Sequence, residues 1–293
     1  MNDRLAAALA VALGREIAPR PEATVHGGSI CESFRWQTSR GPVFVKRAPL
    51  ARRDMLEAEA DGLERLRRAG ALRMPGILAA GSGGDAAFLV LEWLELVPPD
   101  GASEERLGEA LAWLHRNRGP AYGLERDNFV GATPQPNGLL EDWVAFWRER
   151  RLLHQLDLAR DNGHVGRLQD RGRRLVEVMD VFFATYRPTA SLLHGDLWGG
   201  NRGALADGTP VVFDPAVYYG DREADIAMTR LFGNFGPTFY SAYAATWPLD
   251  QAAGARHGLY NLYHVLNHLN LFGGAYRAQA EAMIDRLLAT AGH

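Results

Sequence analysis

The sequence predicts an α+β protein of two unequal lobes: a small N-terminal lobe with an antiparallel sheet and a helix, then a larger, mainly helical C-terminal lobe. Three observations predict it. Short apolar and alternating runs of strand length fill the first part of the chain, with one stretch of helical period among them. The pair Pro98-Pro99 then interrupts any regular element. Beyond Ser103 apolar residues recur almost throughout at helical spacing. The boundary is placed at 95/96, giving a lobe of residues 1–95 and one of 96–293.

Taken in order, Asp3 and Arg4 lead into an Ala-rich stretch that ends in Arg15 and Glu16 with no cleavage site, which reads as a surface helix and not a signal peptide. His26-Gly27-Gly28-Ser29-Ile30 is a turn, and Glu32–Thr38 alternates as a strand does. Gly41-Pro42 turns the chain into Val43-Phe44-Val45, an apolar strand that ends in Lys46. From Arg52 to Ala69 the period becomes helical, with Met55, Leu56, Ala60, Leu63 and Leu66 on one side and Gly70 closing it. Two strand-like runs, Gly76–Ala80 and Ala86–Leu94, are joined by the turn Gly81–Asp85. In the second half, with Ser103 as an N-cap, helices are expected over 103–118, 140–160, 165–187, 221–232, 237–246, 255–272 and 276–290, and strands over 190–194 and 210–214.

Composition narrows the function classes. Of 293 residues, 47% are hydrophobic and 23% charged, an ordinary globular balance. A net charge of −3 argues against a nucleic-acid binder. No run approaches the roughly 18 apolar residues a membrane span needs. One cysteine, Cys31, excludes an internal disulfide and fits a reducing cytoplasm. A monomer is expected. Among the 32 basic residues Lys46 is the single lysine, which draws attention to it: an ammonium is a compact point charge that the planar Arg fork does not reproduce.

The segment Leu192-Leu193-His194-Gly195-Asp196-Leu197-Trp198-Gly199-Gly200-Asn201, followed by Val211-Val212-Phe213-Asp214-Pro215, carries the sharpest chemical signal. Phosphoryl transfer to a hydroxyl needs one carboxylate to take or orient the hydroxyl proton, and oxygen ligands to hold Mg²⁺ against the nucleotide phosphates. Asp196 and Asn201, five residues apart on a loop, and Asp214 at the end of the next apolar strand meet that need. Mg²⁺ retains several waters, so one carboxylate and one amide oxygen suffice. This is the kinase catalytic-loop pattern H-x-D-x-x-x-x-N with a following metal-binding Asp, and it predicts a bilobal, protein-kinase-like fold. The bland alternative, a loop in which Gly, Asp and Asn only make turns, does not account for the spaced Asn201 and the strand-terminal Asp214 together.

The first half supplies what phosphates require. Gly27-Gly28-Ser29 lies between strand-like segments, where backbone N–H groups can approach an anion, although most Gly-Gly pairs are plain turns. Lys46 ends a strand and Glu59 lies in the next helix, as in the lysine–glutamate pair that aims an ammonium at ATP phosphates; Glu57 is an equal rival on spacing alone. Glu92-Trp93-Leu94 fits either a linker whose backbone meets the adenine edge or a core strand.

Other candidates read as structure. His264 and His268 lack an H-E-x-x-H context and read as packed or hydrogen-bonded core histidines. Trp143, Phe146 and Trp147 form a core stripe. Asp221, Arg222, Glu223 and Asp225 form a charged knot, some of which braces the catalytic loop. Cys31 reads as a small packed residue, with a reactive thiol as the alternative.

The motifs LLHGDLWGGN, FDPAVYYGDREADIAM, GPVFVK, EAEADGL, TPQPN and NLYHVLNHLNLFGGAY resemble bacterial members of the fructosamine (ketoamine) kinase family, within the wider aminoglycoside phosphotransferase and choline kinase group. The resemblance runs from about residue 25 to 275. It implies ATP- and Mg²⁺-dependent phosphorylation of the 3-hydroxyl of a ketoamine, after which the adduct falls apart and frees its amine. By the same resemblance Asp196 is the base, Asn201 and Asp214 hold Mg²⁺, Lys46 meets the phosphates, Glu59 positions it, and Trp198, His194, Asp221 and Glu223 lie near the sugar. The alternatives are a kinase of the same fold for an aminoglycoside, choline or sugar, and an inert ATP-binding scaffold.

Overall fold

The computed structural model describes residues 3–14, 20–25 and 31–293. After helix α1 (Asp3–Leu13), strands β1 (Arg20–Thr24), β2 (Glu32–Thr38) and β3 (Gly41–Pro49) lead to helix α2 (Arg53–Ala69), then to β4 (Ile77–Gly83) and β5 (Ala86–Glu92). The five strands make one sheet of order β1-β2-β3-β5-β4, antiparallel at every pairing. Alternation with period two decides which face each side chain takes. Phe88 and Val90 of β5 meet Val43, Val45, Phe34 and Trp36 beneath Leu9 of α1. Ala87, Leu89 and Leu91 turn the other way, onto Leu56, Leu63 and Leu66 of α2. Lys46 shares the α2 face with Phe44 and Ala48, so the pleat alone aims the ammonium toward that helix. Gly70 ends α2 at φ 70° with its N–H on the Arg67 carbonyl, as the sequence predicts.

The chain leaves β5 through an extended segment in which Val97 exchanges two hydrogen bonds with Ala204 (2.8 and 3.2 Å). Helix α3 (Gly101–Leu114) starts earlier than the sequence suggests. Asp100 takes the N-cap, and Ser103 serves as the returning partner of a capping box. A hairpin follows, β6 (Asn128–Val130) and β7 (Thr133–Gln135), whose three-residue strands are too short to show a period. The expected helix over 140–160 is interrupted: α4 (Trp143–Trp147) and α5 (His154–Asp161) flank a π-helical turn, Arg148–Leu153. Helix α6 (Arg167–Val178) gives way to a 3₁₀ turn through Phe183.

Four short strands then form two separate ladders. β8 (Ser191–Leu193) pairs with β11 (Tyr218–Gly220), and β9 (Arg202–Ala204) with β10 (Pro210–Val212), both antiparallel. Helices α7 (Glu223–Leu231), α8 (Pro237–Thr246), α9 (Ala253–Phe272) and α10 (Arg277–Thr290) complete the lobe. Its core includes the expected aromatic stripe, with Trp143 donating to the Tyr260 hydroxyl at 3.1 Å. Among the described residues no helix is long and apolar enough to cross a membrane. The apolar cluster below the sheet does not stop at the lobe junction: Leu56, Leu63 and Leu89 belong with Leu107 and Leu111 of α3 and Val212, Val217 and Ile226 beyond.

Candidate active site

The two ladders set two loops side by side. The Ala216 N–H donates to the His194 carbonyl (2.8 Å) and the Phe213 N–H to that of Asn201 (3.0 Å), which joins the 194–201 loop to the 213–217 segment. Gly195 is required for this closeness: it sits at φ 84°, and a Cβ there would lie 2.0 Å from the Ala216 carbonyl oxygen. Asp214 is one of two non-glycine residues at positive φ (57°) among those described, a conformation kept where the surroundings over-determine it. Here Gln135 donates to the Ala216 carbonyl at 3.2 Å and Asn128 to that of Val217 at 2.7 Å, so the β6–β7 hairpin pins the residues after Asp214.

Beneath the loop lies Asp225. Its carboxylate accepts the N–H groups of His194 and Gly195, both at 2.8 Å, and approaches His115 Nε2 at 3.1 Å. Burial opposes charging Asp225, but the bond to His115 and the backbone N–H of Gly195 prevail and hold its pKa below the ordinary range. His115 is in turn 2.8 Å from the Tyr243 hydroxyl, which accepts from Arg222 at 3.0 Å. Part of the charged knot therefore holds the loop from below, as the sequence suggests.

Asp196 faces a cavity, with its side chain 19% exposed. Asn201 donates its amide nitrogen to the Asp196 carbonyl (2.9 Å) and carboxylate (3.2 Å). Burial, with Asp214 and Asp225 adding repulsion against the Asn201 bond, pushes the Asp196 carboxyl up to about 7. A carboxylate near neutrality is matched to accepting a proton.

Lys46 crosses from the other lobe. Its Nζ lies 2.7 Å from Glu59 Oε1 and 2.5 Å from Asp214 Oδ1. Burial works against the ammonium, yet Asp214 and Glu59 outweigh it and raise its pKa above the usual lysine value. Burial pushes Glu59 upward while Lys46 pulls it back. The rival Glu57 is spent at the surface, where Arg53 one turn away holds it at 2.6 Å.

Two cavities meet at this point. One, of about 380 Å³, is floored by Asp196, Asn201, Asp214 and Glu59 and walled by Trp198 and Phe272. The other, of about 440 Å³, has apolar walls from Phe44, Leu91, Leu96 and Phe213 and is bordered by Glu92, Trp93 and Leu94. Lys46, Asn201, Asp214 and Trp198 line both. The Trp198 ring lies across Gly200, where a Cβ would come within 2.2 Å of a ring carbon.

Several expectations need correction. His194, Asp221 and Glu223 offer no surface to a substrate, since each is 0% exposed. His194 Nε2 is 3.1 Å from the Phe213 carbonyl; Asp221 accepts from Tyr260 (2.6 Å) and Tyr186 (3.1 Å); Glu223 holds Arg256 in a two-bond pair at 2.8 and 2.9 Å. They brace the site from within. The Glu92 carboxylate is taken by Arg73 (2.6 Å) and the Gly76 N–H (3.0 Å), and its own N–H by the Gly76 carbonyl (2.8 Å). Gly27, Gly28 and Ser29 lie outside the described residues. Cys31 is half-buried, packs against the apolar cluster below the sheet and also borders the first cavity, and burial pushes its thiol up to about 11. Sequence reasoning missed His115, Asn128 and the aromatic wall of Phe232, Phe272 and Tyr276, positions that only the tertiary fold gathers.

The fructosamine kinase family model matches residues 1–290. A probable ketoamine kinase of Synechocystis sp. is 42% identical over 266 residues, which cover 90% of this chain and 89% of that protein. The chloroplastic protein-ribulosamine 3-kinase of Arabidopsis thaliana is 38% identical over 270 residues, 90% of this chain and 82% of that protein. Among solved structures, a Haemophilus somnus protein assigned as a fructosamine-3-kinase shares the architecture at a TM-score of 0.88 and 29% identity, over 98% of this chain and 97% of that one.

Proposed function

The chain belongs to the fructosamine kinase family, and from that membership we propose that it transfers the γ-phosphoryl group of ATP to the 3-hydroxyl of a ketoamine. The observation that carries the reading is the meeting of Lys46, Asp196, Asn201 and Asp214 where the two cavities join. Adenine suits the apolar cavity. Trp93, Leu94, Glu95 and Leu96 border it in an extended segment, whose backbone is placed to meet the adenine edge. Lys46 supplies the charge for the phosphates. The ketoamine enters beside Trp198, whose ring offers an apolar face to the sugar.

Asp196 accepts the proton of the attacking hydroxyl as its oxygen bonds to the γ-phosphorus and the bond to the β,γ-bridging oxygen breaks, releasing ADP. Asn201 commits its nitrogen to Asp196 and so keeps its oxygen for a cation, while the Asp214 carboxylate is 42% exposed. That hard-oxygen pair fits Mg²⁺, which retains its other ligands as water and when bound neutralises phosphate charge. The 3-phosphate becomes a leaving group once the adduct enolises between C1 and C2. Its departure and hydrolysis of the resulting imine free the amine, which makes the role deglycation. The single cysteine fits a cytoplasmic setting.

The test is Mg²⁺-ATP turnover by the purified protein on ribulose-lysine and fructose-lysine, with kanamycin and choline as controls. Turnover confined to a ketoamine is expected. Activity only on a control would discard the substrate class, and ATP binding without turnover on any of the four would favour a scaffold.

A further inference from the structure

His264 lies in the middle of α9, 4% exposed, and the sequence reads it as a core histidine. One feature does not suit that reading. Its Nδ1 is buried without a hydrogen-bond partner, and it stands 3.9 Å from Asp196 Oδ1. Buried ring nitrogens are normally satisfied, because an unpaired one forfeits its hydration for nothing. A position that needed only apolar volume would be filled as well by leucine.

The groups around it define its state. His268 faces it from the same helix, Asp225 from α7 and Arg151 from the π-helical turn. Burial, with His268 and Arg151 against Asp225, drives its pKa down to about 3, so the ring is neutral and carries a single N–H. Asp196, for its part, is held on one side only: Asn201 donates to Oδ2, and Oδ1 is the oxygen that faces His264. Of the two oxygens, one therefore has a donor and the other has a donor's nitrogen just out of reach.

We infer that His264 is a positioning residue for the phosphoryl-transfer base: in the Nδ1–H tautomer it donates to Asp196 Oδ1 and, with Asn201 on Oδ2, fixes the carboxylate plane relative to the acceptor hydroxyl. The present separation exceeds a hydrogen bond by about 1 Å, and bonds of this kind tighten when substrate is bound. A neutral donor suits the task, since it orients the carboxylate without contributing a formal positive charge. His264 itself passes no proton; the hydroxyl proton still goes to Asp196. The inference rests on the reading of Asp196 as the base.

The experiment compares His264→Asn with His264→Leu, using the better ketoamine substrate. The asparagine amide nitrogen falls close to the place of a histidine Nδ1, whereas leucine fills the volume and donates nothing. The expected result is kcat within about tenfold of wild type for His264→Asn and a loss of about 10–100-fold for His264→Leu, on the scale of one positioning bond, with KM for ATP and melting temperature unchanged. Full activity in His264→Leu, or equal losses in both, overturns the inference in favour of packing. If the leucine variant does not fold, His264→Ala assayed with and without imidazole decides: recovered turnover supports the donor role and its absence overturns it. Asp196→Asn separates this inference from the one beneath it. A wild-type rate in Asp196→Asn removes the base itself, whereas an inactive Asp196→Asn beside an active His264→Leu removes only the positioning role.

Discussion

The Lys46 ammonium stands 2.5 Å from the Asp214 carboxylate, a contact that joins a sheet strand of one lobe to the segment at which the other is expected to hold its metal. With Glu59 on its far side at 2.7 Å, the charge is a point fixed from two directions. Lys46→Arg should therefore lower kcat/KM by at least about 100-fold, because the broad guanidinium cannot occupy that point. Steady-state kinetics in ATP will show it, and a fully active arginine variant would take Lys46 out of the site.

Asp196→Asn should reduce kcat by about 10²–10⁴-fold while nucleotide affinity is largely retained, the signature of a lost base. Turnover and ATP titration on the same preparation give the answer.

The elevated Asp196 pKa has a sign that can be checked in two ways. Only the ionised form accepts a proton, so kcat/KM should fall about tenfold per pH unit below about 7. Mg²⁺ bound beside it would shift that limb to lower pH. For stability the sign runs opposite to that of a salt-bridged carboxylate. The native state holds the proton up to about 7 and the unfolded chain releases it in the ordinary carboxylate range. The group thus costs stability progressively between those pH values, and fully above 7. Asp196→Asn should accordingly melt higher than wild type at pH 8, with a smaller difference at pH 5, when scanned without nucleotide. A constant difference across that range would contradict the assignment.

Asp225→Asn should weaken the loop from beneath. An asparagine has one acceptor oxygen for the two backbone amides that the carboxylate now serves, so one N–H is left buried and unpaired at a cost of about 1–3 kcal/mol. Melting temperature should fall, and kcat should drop by about tenfold or more with it. An unchanged kcat would mean that the loop keeps its shape unaided.

Gly200→Ala places a methyl group where the Trp198 ring now lies. The ring must move, and KM for the ketoamine should rise about tenfold with ATP binding less affected. Equal effects on both substrates would place Trp198 between them and not on the sugar side.

Much of this was legible in the chain, for identifiable reasons. The helix over 53–69 and the run of helices from α7 to α10 announce themselves by long apolar periods, and the catalytic segment by residue types at fixed spacing. The choice of Glu59 over Glu57 was not legible from spacing, since both lie in the same helical turn. The pleat that aims Lys46 and the rotation of α2 decide it together. The expectation that His194, Asp221 and Glu223 lie near the sugar comes from the family resemblance, which carries positions and not burial. What the sequence does not show is that Arg256 pairs with Glu223, that Tyr260 donates to Asp221 and that His194 packs against the Phe213 carbonyl, partners brought in only by the fold. The β6–β7 hairpin escaped notice because three residues carry no periodicity, and with it went the support that Asn128 and Gln135 give to the strained Asp214.

Helix α2 does not merely cover the sheet. At Gly62 it approaches Pro215 and Val217 so nearly that an added methyl group would lie 3.2–3.3 Å from their side chains, and its apolar face is shared with the core of the other lobe. In regulated kinases the corresponding glutamate-bearing helix swings in and out, and that swing is the throttle. Here the helix is wedged between the sheet on one side and the Asp214–Val217 segment on the other, so Glu59 cannot swing away from Lys46 without unpacking apolar side chains that both lobes share. The same packing that stabilises the fold therefore also keeps the lysine–glutamate pair assembled.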